Sequence, residues 1–258
     1  MTVFMDSVSL FFMVFIRLAG MILMNPMFSR RNVPSMVRLG LVFFLTILVM
    51  PMVDDGPLAG LGGFQLALMM FRELAIGLCL GLAFQFFYMM LYFTGDLLDV
   101  TFGFSMAKVF DPGTNLQVSM SSSLFFNIFM LYLIATDSHL AIIHLFCYTF
   151  KALPLGGAAL TPELAQGMIK IFTDVFLLAV RLAMPFVAME FVLEVGMGIL
   201  MRFVPQIQVF SINFQLKQGL AFIMLFLFAP FVGSFMDNYL IVMLETMQNV
   251  LGAMGGNL

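Results

Sequence analysis

The 258-residue chain is 62% hydrophobic and only 10% charged, with a formal net charge of −3. Because soluble domains carry about 25% charged residues, this composition excludes an ordinary soluble protein. The small net charge gives no sign of a nucleic-acid partner, and we expect none.

Apolar runs recur along the whole chain. A helix needs about 20 apolar residues to cross a membrane, and only helices and closed barrels satisfy their backbone in lipid. The runs lack the period-two alternation of barrel strands. We therefore predict an all-α polytopic membrane protein built of helical hairpins. Its apolar segments are 8–24, 37–53, 58–93, 120–150, 169–203 and 209–236, with a weaker helical tail to about 252.

The first apolar segment does not resemble a cleaved signal peptide. Neither a basic region nor a small-residue cleavage site marks the amino terminus, so we expect the first helix to stay in the mature protein.

Pro34 and Pro51 predict a helix over 37–50 with a clean start and stop. In the next segment, Gly77 and Gly81 are separated by three residues, and two small residues at this spacing let another backbone approach closely.

We single out seven charged residues within the apolar runs, where ionisable groups are costly and usually mark an ion pathway or a polar contact. Glu190 and Glu194 share one helical face, whereas Arg181 lies near the opposite face, beyond Pro185. Two readings are open: a proton relay, or pairing with basic groups of adjoining helices or subunits, which we favour. The seven residues are Arg17, Arg72, Glu73, Arg181, Glu190, Glu194 and Arg202.

Residues 94–117 form a glycine- and proline-punctuated break between apolar runs. Irregular backbone at membrane depth is tolerated only where protein buries it or where it lines a cavity. With Phe102, Phe104, Met106 and Phe110 in it, the break suggests the plug or constriction of a pore. An ordinary loop at the bilayer surface is the alternative.

Two acidic residues open this break. Asp96 and Asp99 could be a catalytic carboxylate pair. However, Thr94 and Gly95 resemble the start of a helix, where carboxylates cap free N–H groups. We therefore expect a capping role.

No other side chains suggest chemistry. Cys79 and Cys147 stand alone in apolar runs and are expected to be core residues. His139 and His144 are five residues apart, which is not the spacing of a helical metal-ligand pair. We expect no enzyme activity, no cofactor and no metal.

The last two apolar segments are joined by a polar, proline-containing break that includes Pro205 and Gln206, which predicts a helical hairpin. Asn213, Gln215 and Lys217 then enter the second helix and are too polar for lipid. We expect them to contact partner helices or water.

Four patterns in this order resemble the FliR family, whose members are core subunits of the flagellar type III export gate. The first runs from Arg17-Leu-Ala-Gly20 through Pro26-Met-Phe28 and Val33-Pro34 to Arg38. The second is the loop from Phe104 to Asp111-Pro112-Gly113. The third is His139-Leu-Ala-Ile-Ile-His144 with Thr149-Phe150 and Pro154, and the fourth is Gly198-Ile-Leu-Met-Arg202 with Pro205-Gln206 and Phe210.

The resemblance implies one integral membrane subunit over 1–258, with a FliP-like portion at 1–168 and a FliQ-like hairpin and tail at 169–258. It implies a pore shared with FliP and FliQ, with FlhB and FlhA as neighbours, unfolded proteins as substrates and membrane lipid around it. The complex would lie in the bacterial inner membrane at the flagellar basal body, with much of it toward the periplasm.

The resemblance also assigns the 103–117 loop as a pore plug. Its sealing side chains would be Met106, Val109 and Phe110, with support from Phe104. The turn would be shaped by Asp111, Pro112 and Gly113. The competing class is a secondary transporter or ion channel that uses Glu190, Glu194 and Arg181, although internal repeats typical of transporters are not evident.

Overall fold

The computed structural model describes residues 2–28, 33–53, 62–105, 119–156, 162–203 and 209–254. Within these ranges the chain forms eight α-helices and one short 3₁₀ helix, Met50–Met52. The α-helices are α1 (Thr2–Met24), α2 (Ser35–Val49), α3 (Gly63–Thr101), α4 (Met120–Ala135), α5 (Ser138–Ala152), α6 (Pro162–Phe203), α7 (Val209–Leu227) and α8 (Ala229–Ala253).

The all-α membrane class predicted from composition is confirmed. Four helices in the described ranges are long and apolar enough to cross a membrane, or up to six if each broken helix pair counts as one span. The predicted proline boundaries of α2 also hold, because Pro34 is the residue before its first turn and Pro51 lies in the 3₁₀ turn that follows it.

Two of the predicted apolar segments are broken helices. The 120–150 segment divides at Thr136 and Asp137, where Asp137 adopts a left-handed backbone with φ of 54°. Aspartate tolerates this conformation better than most side chains, which favours a turn there. The 209–236 segment divides at Phe228. Pro230 follows two residues later and has no N–H to continue the helical ladder.

The predicted helix start at Thr94 is wrong, because α3 continues without a break to Thr101. Inside the helix, the Thr94 hydroxyl donates to the Met90 carbonyl at 2.9 Å and lies 3.3 Å from the Ala179 carbonyl. A threonine hydroxyl bonded to the preceding turn is compatible with a helix interior. The irregular segment therefore begins after Thr101.

Two helices exceed the thickness of a bilayer. With 39 and 42 residues, α3 and α6 are about 58 Å and 63 Å long at 1.5 Å per residue. The hydrocarbon core is only about 30 Å thick. Even at a tilt of about 40°, the upper end of the usual range, α3 would rise about 45 Å. Along its own length, each helix is therefore longer than a single hydrocarbon layer is thick.

The contacts define two compact units. The first contains Met1–Phe87, Leu133–Thr173 and Leu240–Leu258, and the second contains Tyr88–Tyr132 and Asp174–Tyr239. In the first unit, Leu10 and Met13 of α1 are buried in an apolar cluster with partly buried side chains of other elements. These are Met50, Val53, Leu66, Met69, Met70 and Leu155. The division at 168/169 into FliP-like and FliQ-like parts stays a prediction.

Candidate functional site

The first part of the predicted plug loop packs against α7. Phe102 is 2% exposed, and the backbone at Gly103 has a φ of 79°, which glycine adopts without strain. The ring of Phe214 lies beside Gly103, where an added side-chain carbon would come within 3.3 Å of it. The Phe104 ring meets the Phe222 ring edge to face, with centroids 5.9 Å apart. The start of the loop is therefore held by aromatic packing.

Most of the predicted sealing and turn residues lie outside the residues that the structure describes. These are Met106, Val109, Phe110, Asp111, Pro112 and Gly113. Their assignment as a plug stays a prediction. The described neighbours of this segment are Phe104 and Ser105 on one side and Ser119 on the other.

Asp99, near the end of α3, caps the start of α4. Its carboxylate is 2% exposed and accepts hydrogen bonds from the Ser119 hydroxyl at 2.7 Å, the Met120 N–H at 2.7 Å and the Ser121 N–H at 3.1 Å. A carboxylate at a helix amino terminus satisfies free N–H groups and complements the helix dipole. The capping role expected of the acidic pair is therefore found at Asp99, but for α4 and not for its own helix.

Close backbone packing adds to this contact. The Ser122 hydroxyl donates to the Tyr92 carbonyl at 2.7 Å, and its N–H donates to the Ser119 hydroxyl at 3.1 Å. Gly95 lies directly against Ser122, so that any side chain at position 95 would collide with the Ser122 backbone. We call residues 99–104 together with 119–122 the loop base.

A second polar cluster joins α1 and α3 in the first unit. Arg17 and Glu73 are both fully buried, and the Arg17 Nε donates to Glu73 Oε2 at 2.5 Å. The other carboxylate oxygen of Glu73 accepts from the Gly156 N–H at 2.8 Å. Glu73 therefore finds a basic partner on another helix, as expected for an acid that cannot pair with its neighbour Arg72.

Arg17 also holds the end of α5. Its Nη1 donates to the carbonyls of Thr149 at 3.1 Å and Leu153 at 3.0 Å, and its guanidinium carbon lies 4.5 Å from the centre of the Phe150 ring. A cation at a helix carboxyl terminus complements the helix dipole and can bind the last carbonyls. The buried pair thus joins three segments of the first unit.

Glycines permit this arrangement. A side-chain carbon at Gly77 would collide with the Arg17 carbonyl, and one at Gly20 would come within 2.9 Å of the Gly77 backbone. At Gly81, the same atom would lie 2.6 Å from the Cβ of Met24. Gly77 and Gly81, which the sequence predicts to allow close packing, therefore lie where α1 and α3 make close backbone contact.

A third polar cluster lies between α6 and α7 in the second unit. The Lys217 Nζ lies 2.7 Å from Glu190 Oε1 and 2.5 Å from Glu194 Oε2. Glu190 is largely buried, whereas the Glu194 side chain is 52% exposed. The two acids have a basic partner on an adjoining helix. This is the pairing that the sequence analysis favours over a proton relay.

The other predicted polar residues are not brought together. Arg72, Arg181 and Arg202 are exposed, and no salt bridge of theirs is present within the ranges that the structure describes. Pro205 and Gln206 fall outside those ranges. The roles of these five residues in contacts between subunits stay predictions.

Sequence reasoning missed Ser119 as part of a polar cluster. The run Ser119-Met-Ser-Ser-Ser123 before the apolar stretch is a helix-start signature, and it could have revealed the beginning of α4. The sequence predicts that Lys217 is too polar for lipid, but its two acidic partners lie 27 and 23 residues earlier in the chain, at Glu190 and Glu194. Spacing alone does not reveal such a pair.

These clusters hold helices together. No group of three metal-ligating side chains occurs among the residues that the structure describes. The fold thus defines a helical membrane protein whose buried polar groups serve helix packing and helix capping. The sequence model of the bacterial export proteins, family 1, matches residues 8–242. The chain belongs to this family of bacterial export proteins.

Curated relatives agree with the family match. The chain is 29% identical to flagellar biosynthetic protein FliR of Bacillus subtilis (strain 168), over 97% of both chains. It is 27% identical to FliR of Escherichia coli (strain K12), over 89% of this chain and 88% of the relative. It is 22% identical to Yop proteins translocation protein T of Yersinia pestis, over 81% of both chains. The resemblance to the FliR family found in the sequence motifs is confirmed.

Proposed function

We propose that this chain is a core subunit of the flagellar type III protein export gate. In this role it forms the export pore with FliP and FliQ homologues, beside FlhB and FlhA, in the bacterial inner membrane at the basal body. The observation that carries the proposal is the family match over 8–242, together with similarity to FliR proteins over nearly the whole chain. The higher identity to FliR proteins than to the Yersinia translocation protein favours the flagellar branch.

The length of the helices supports the proposed position of the assembly. Both α3 and α6 are longer than one hydrocarbon layer is thick, so part of each helix would lie outside it. Polar groups such as Lys217 and Glu194 are then less costly, because they face protein or water instead of lipid. Much of the subunit would lie toward the periplasm.

The proposed mechanism is passive gating. In the closed state, apolar side chains of the 103–117 loop fill the pore and exclude water, which blocks ions. The aromatic packing of Phe104 against Phe222 supports the idea that the loop leaves α3 in a defined direction. Opening depends on substrate engagement and partner subunits. The unfolded export substrate then takes the place of the loop.

Native mass spectrometry of the tagged chain tests the proposed function. The chain is co-expressed with its neighbouring genes and purified in mild detergent. We expect a discrete hetero-oligomer that holds one copy of this chain among several small helical subunits. A monomer or a homodimer without partners would contradict the proposal. It would direct attention to ion transport through Glu190 and Glu194.

A further inference from the structure

A cavity of about 460 Å³ lies between α5 and α8, and both helix segments that line it belong to the first unit. Its volume falls within the range of about 300–1,000 Å³ that is usual for small-molecule sites. The apolar part of its wall includes Leu140, Leu145 and Leu244. We propose that this cavity binds one membrane phospholipid, with an acyl chain against the apolar wall and the phosphate at its polar side chains. Such a site requires only a membrane protein, and not the proposed export function.

The polar part of the wall is made by His144, Tyr148 and Gln248. None of these side chains forms a hydrogen bond with another residue in the part of the chain that the structure describes. Each can donate one, through an imidazole N–H, a phenol O–H or an amide NH₂ group. Phosphate oxygens are strong hydrogen-bond acceptors. A phosphate group therefore matches the hydrogen-bonding type of all three side chains.

A cation lies on the same face of α5. Lys151 is exposed in the last turn of α5 and follows Tyr148 by three residues and His144 by seven, which is the spacing of one helical face. It has no salt bridge within the described ranges. The α5 helix contains no acidic residue, since Asp137 precedes it at its other end, and Glu245 of α8 is not part of the cavity wall. The charge at this end of α5 thus favours an anionic group, as in other sites for lipid head groups.

The apolar part of the cavity suits an acyl chain. Leu140 is 56% exposed, and so is Ile241, three residues before Leu244 on α8. Together with the helix that precedes it, each of α5 and α8 is long and apolar enough to be one bent membrane span. Water makes no hydrogen bonds with a leucine wall, whereas a hydrocarbon chain fills it with dispersion contacts. A ligand with both a chain and a phosphate group therefore fits the whole cavity, which free phosphate does not.

Native mass spectrometry of the purified full-length chain, with whatever subunits co-purify, tests the site. After exchange into lipid-free detergent, the protein is titrated with phosphatidylglycerol, or with diacylglycerol that has the same acyl chains. We expect one phosphatidylglycerol per chain to bind about tenfold more tightly than diacylglycerol, since hydrogen bonds to a charged group contribute about this much. Inorganic phosphate at the same concentration should not displace the lipid.

Two pairs of variants assign the binding to the cavity. His144→Leu should weaken phosphatidylglycerol binding about tenfold and leave diacylglycerol binding unchanged, whereas the same change at His139, outside the cavity wall, should alter neither. Lys151→Met is compared in the same way with Lys170→Met, at an exposed position on α6. Ala141→Phe, which places a ring at the cavity wall, should abolish the binding of both lipids.

Each contrary result overturns a stated part of the site. Equal phosphatidylglycerol binding by all variants would mean that lipid coats the protein surface without a site. Equal binding of the two lipids by the wild type would overturn the recognition of phosphate, and displacement by inorganic phosphate would assign the polar groups to the free ion instead. If Ala141→Phe does not fold, the His144 and Lys151 variants decide, with their thermal unfolding in lipid-free detergent as the check on folding. These results do not depend on whether export subunits co-purify.

Discussion

Arg17 and Glu73 form a fully buried ion pair, with 2.5 Å between Nε and Oε2. Removing two charges from water costs several kcal/mol per ion, and this cost is recovered only with good geometry and further hydrogen bonds. Further hydrogen bonds are present, since the Thr149 and Leu153 carbonyls bind the guanidinium and the Gly156 N–H binds the carboxylate, whereas Arg17 Nη2 has no partner among the described residues. Two charges within apolar segments thus join α1, α3 and the end of α5.

Replacing Arg17 by methionine should destabilise the protein strongly, because it leaves the Glu73 charge buried without a cation. We expect a loss of about 3–5 kcal/mol, whereas the double variant R17M/E73L should be about as stable as the wild type and therefore more stable than R17M. The measurement is the thermal unfolding of the purified complex. Arg72→Met at the exposed neighbouring position is the control. Equal losses in the single and double variants would contradict the pairing.

Gly77→Ala should weaken the contact between α1 and α3, because the added methyl group collides with the Arg17 carbonyl. Overpacking of this kind costs about 1–3 kcal/mol. Gly40→Ala is the matched control on α2, since nothing lies within 4 Å of the added atom. That control should gain up to about 1 kcal/mol from helix propensity. A lower unfolding temperature in G77A and an unchanged or higher one in G40A are expected.

Removing the positive charge of Lys217 should leave two carboxylates beside each other without a cation. Lys217→Met should therefore cost about 1–3 kcal/mol, less than the Arg17 change because Glu194 is half exposed. Lys217→Arg should retain most of the stability, and Gln218→Met tests the change in polarity alone. Thermal unfolding of the complex measures the effect.

The same variant separates gate from transporter. If the protein is a transporter that uses Glu190 and Glu194, loss of Lys217 should abolish or alter ion flux. Substrate transport should then change in the same proportion. In the proposed gate it should lower the amount of assembled complex without changing the permeability of each complex. A changed flux per complex would count against the gate.

Deletion of residues 105–111 should make cells permeable to small ions while the complex still assembles. The reason is that the apolar plug would be absent from the closed pore. Ion leak and subunit composition are measured on the same preparations. Wild-type permeability in an assembled deletion variant would remove the plug assignment.

An independent readout of the plug uses a cysteine at position 106. Met106→Cys should be shielded from small thiol reagents in the closed state. Cys79 and Cys147 are only partly buried, so both are first replaced by alanine to give a clean background. Free labelling of Cys at 106 in the closed complex would be the contrary result.

Several features were predictable because they depend on local sequence. Pro34 and Pro51 set the limits of α2 since proline restricts its own backbone and that of its neighbour. Gly77 signalled close packing because only a missing side chain permits it. The predicted start of the irregular segment, at residue 94, is too early in the chain. A glycine such as Gly95 looks the same in the sequence whether it breaks a helix or leaves space for Ser122 on a neighbouring helix.

The sequence by itself determined the class of this protein. Hydropathy adds along the chain, and only helices and closed barrels satisfy the backbone in lipid, so long apolar runs without period-two alternation indicate helices. Only the tertiary structure decided which polar groups meet. Glu73 binds Arg17 across 56 residues and Asp99 binds Ser119 across 20. Such contacts depend on how helices pack side by side, which local periodicity does not encode.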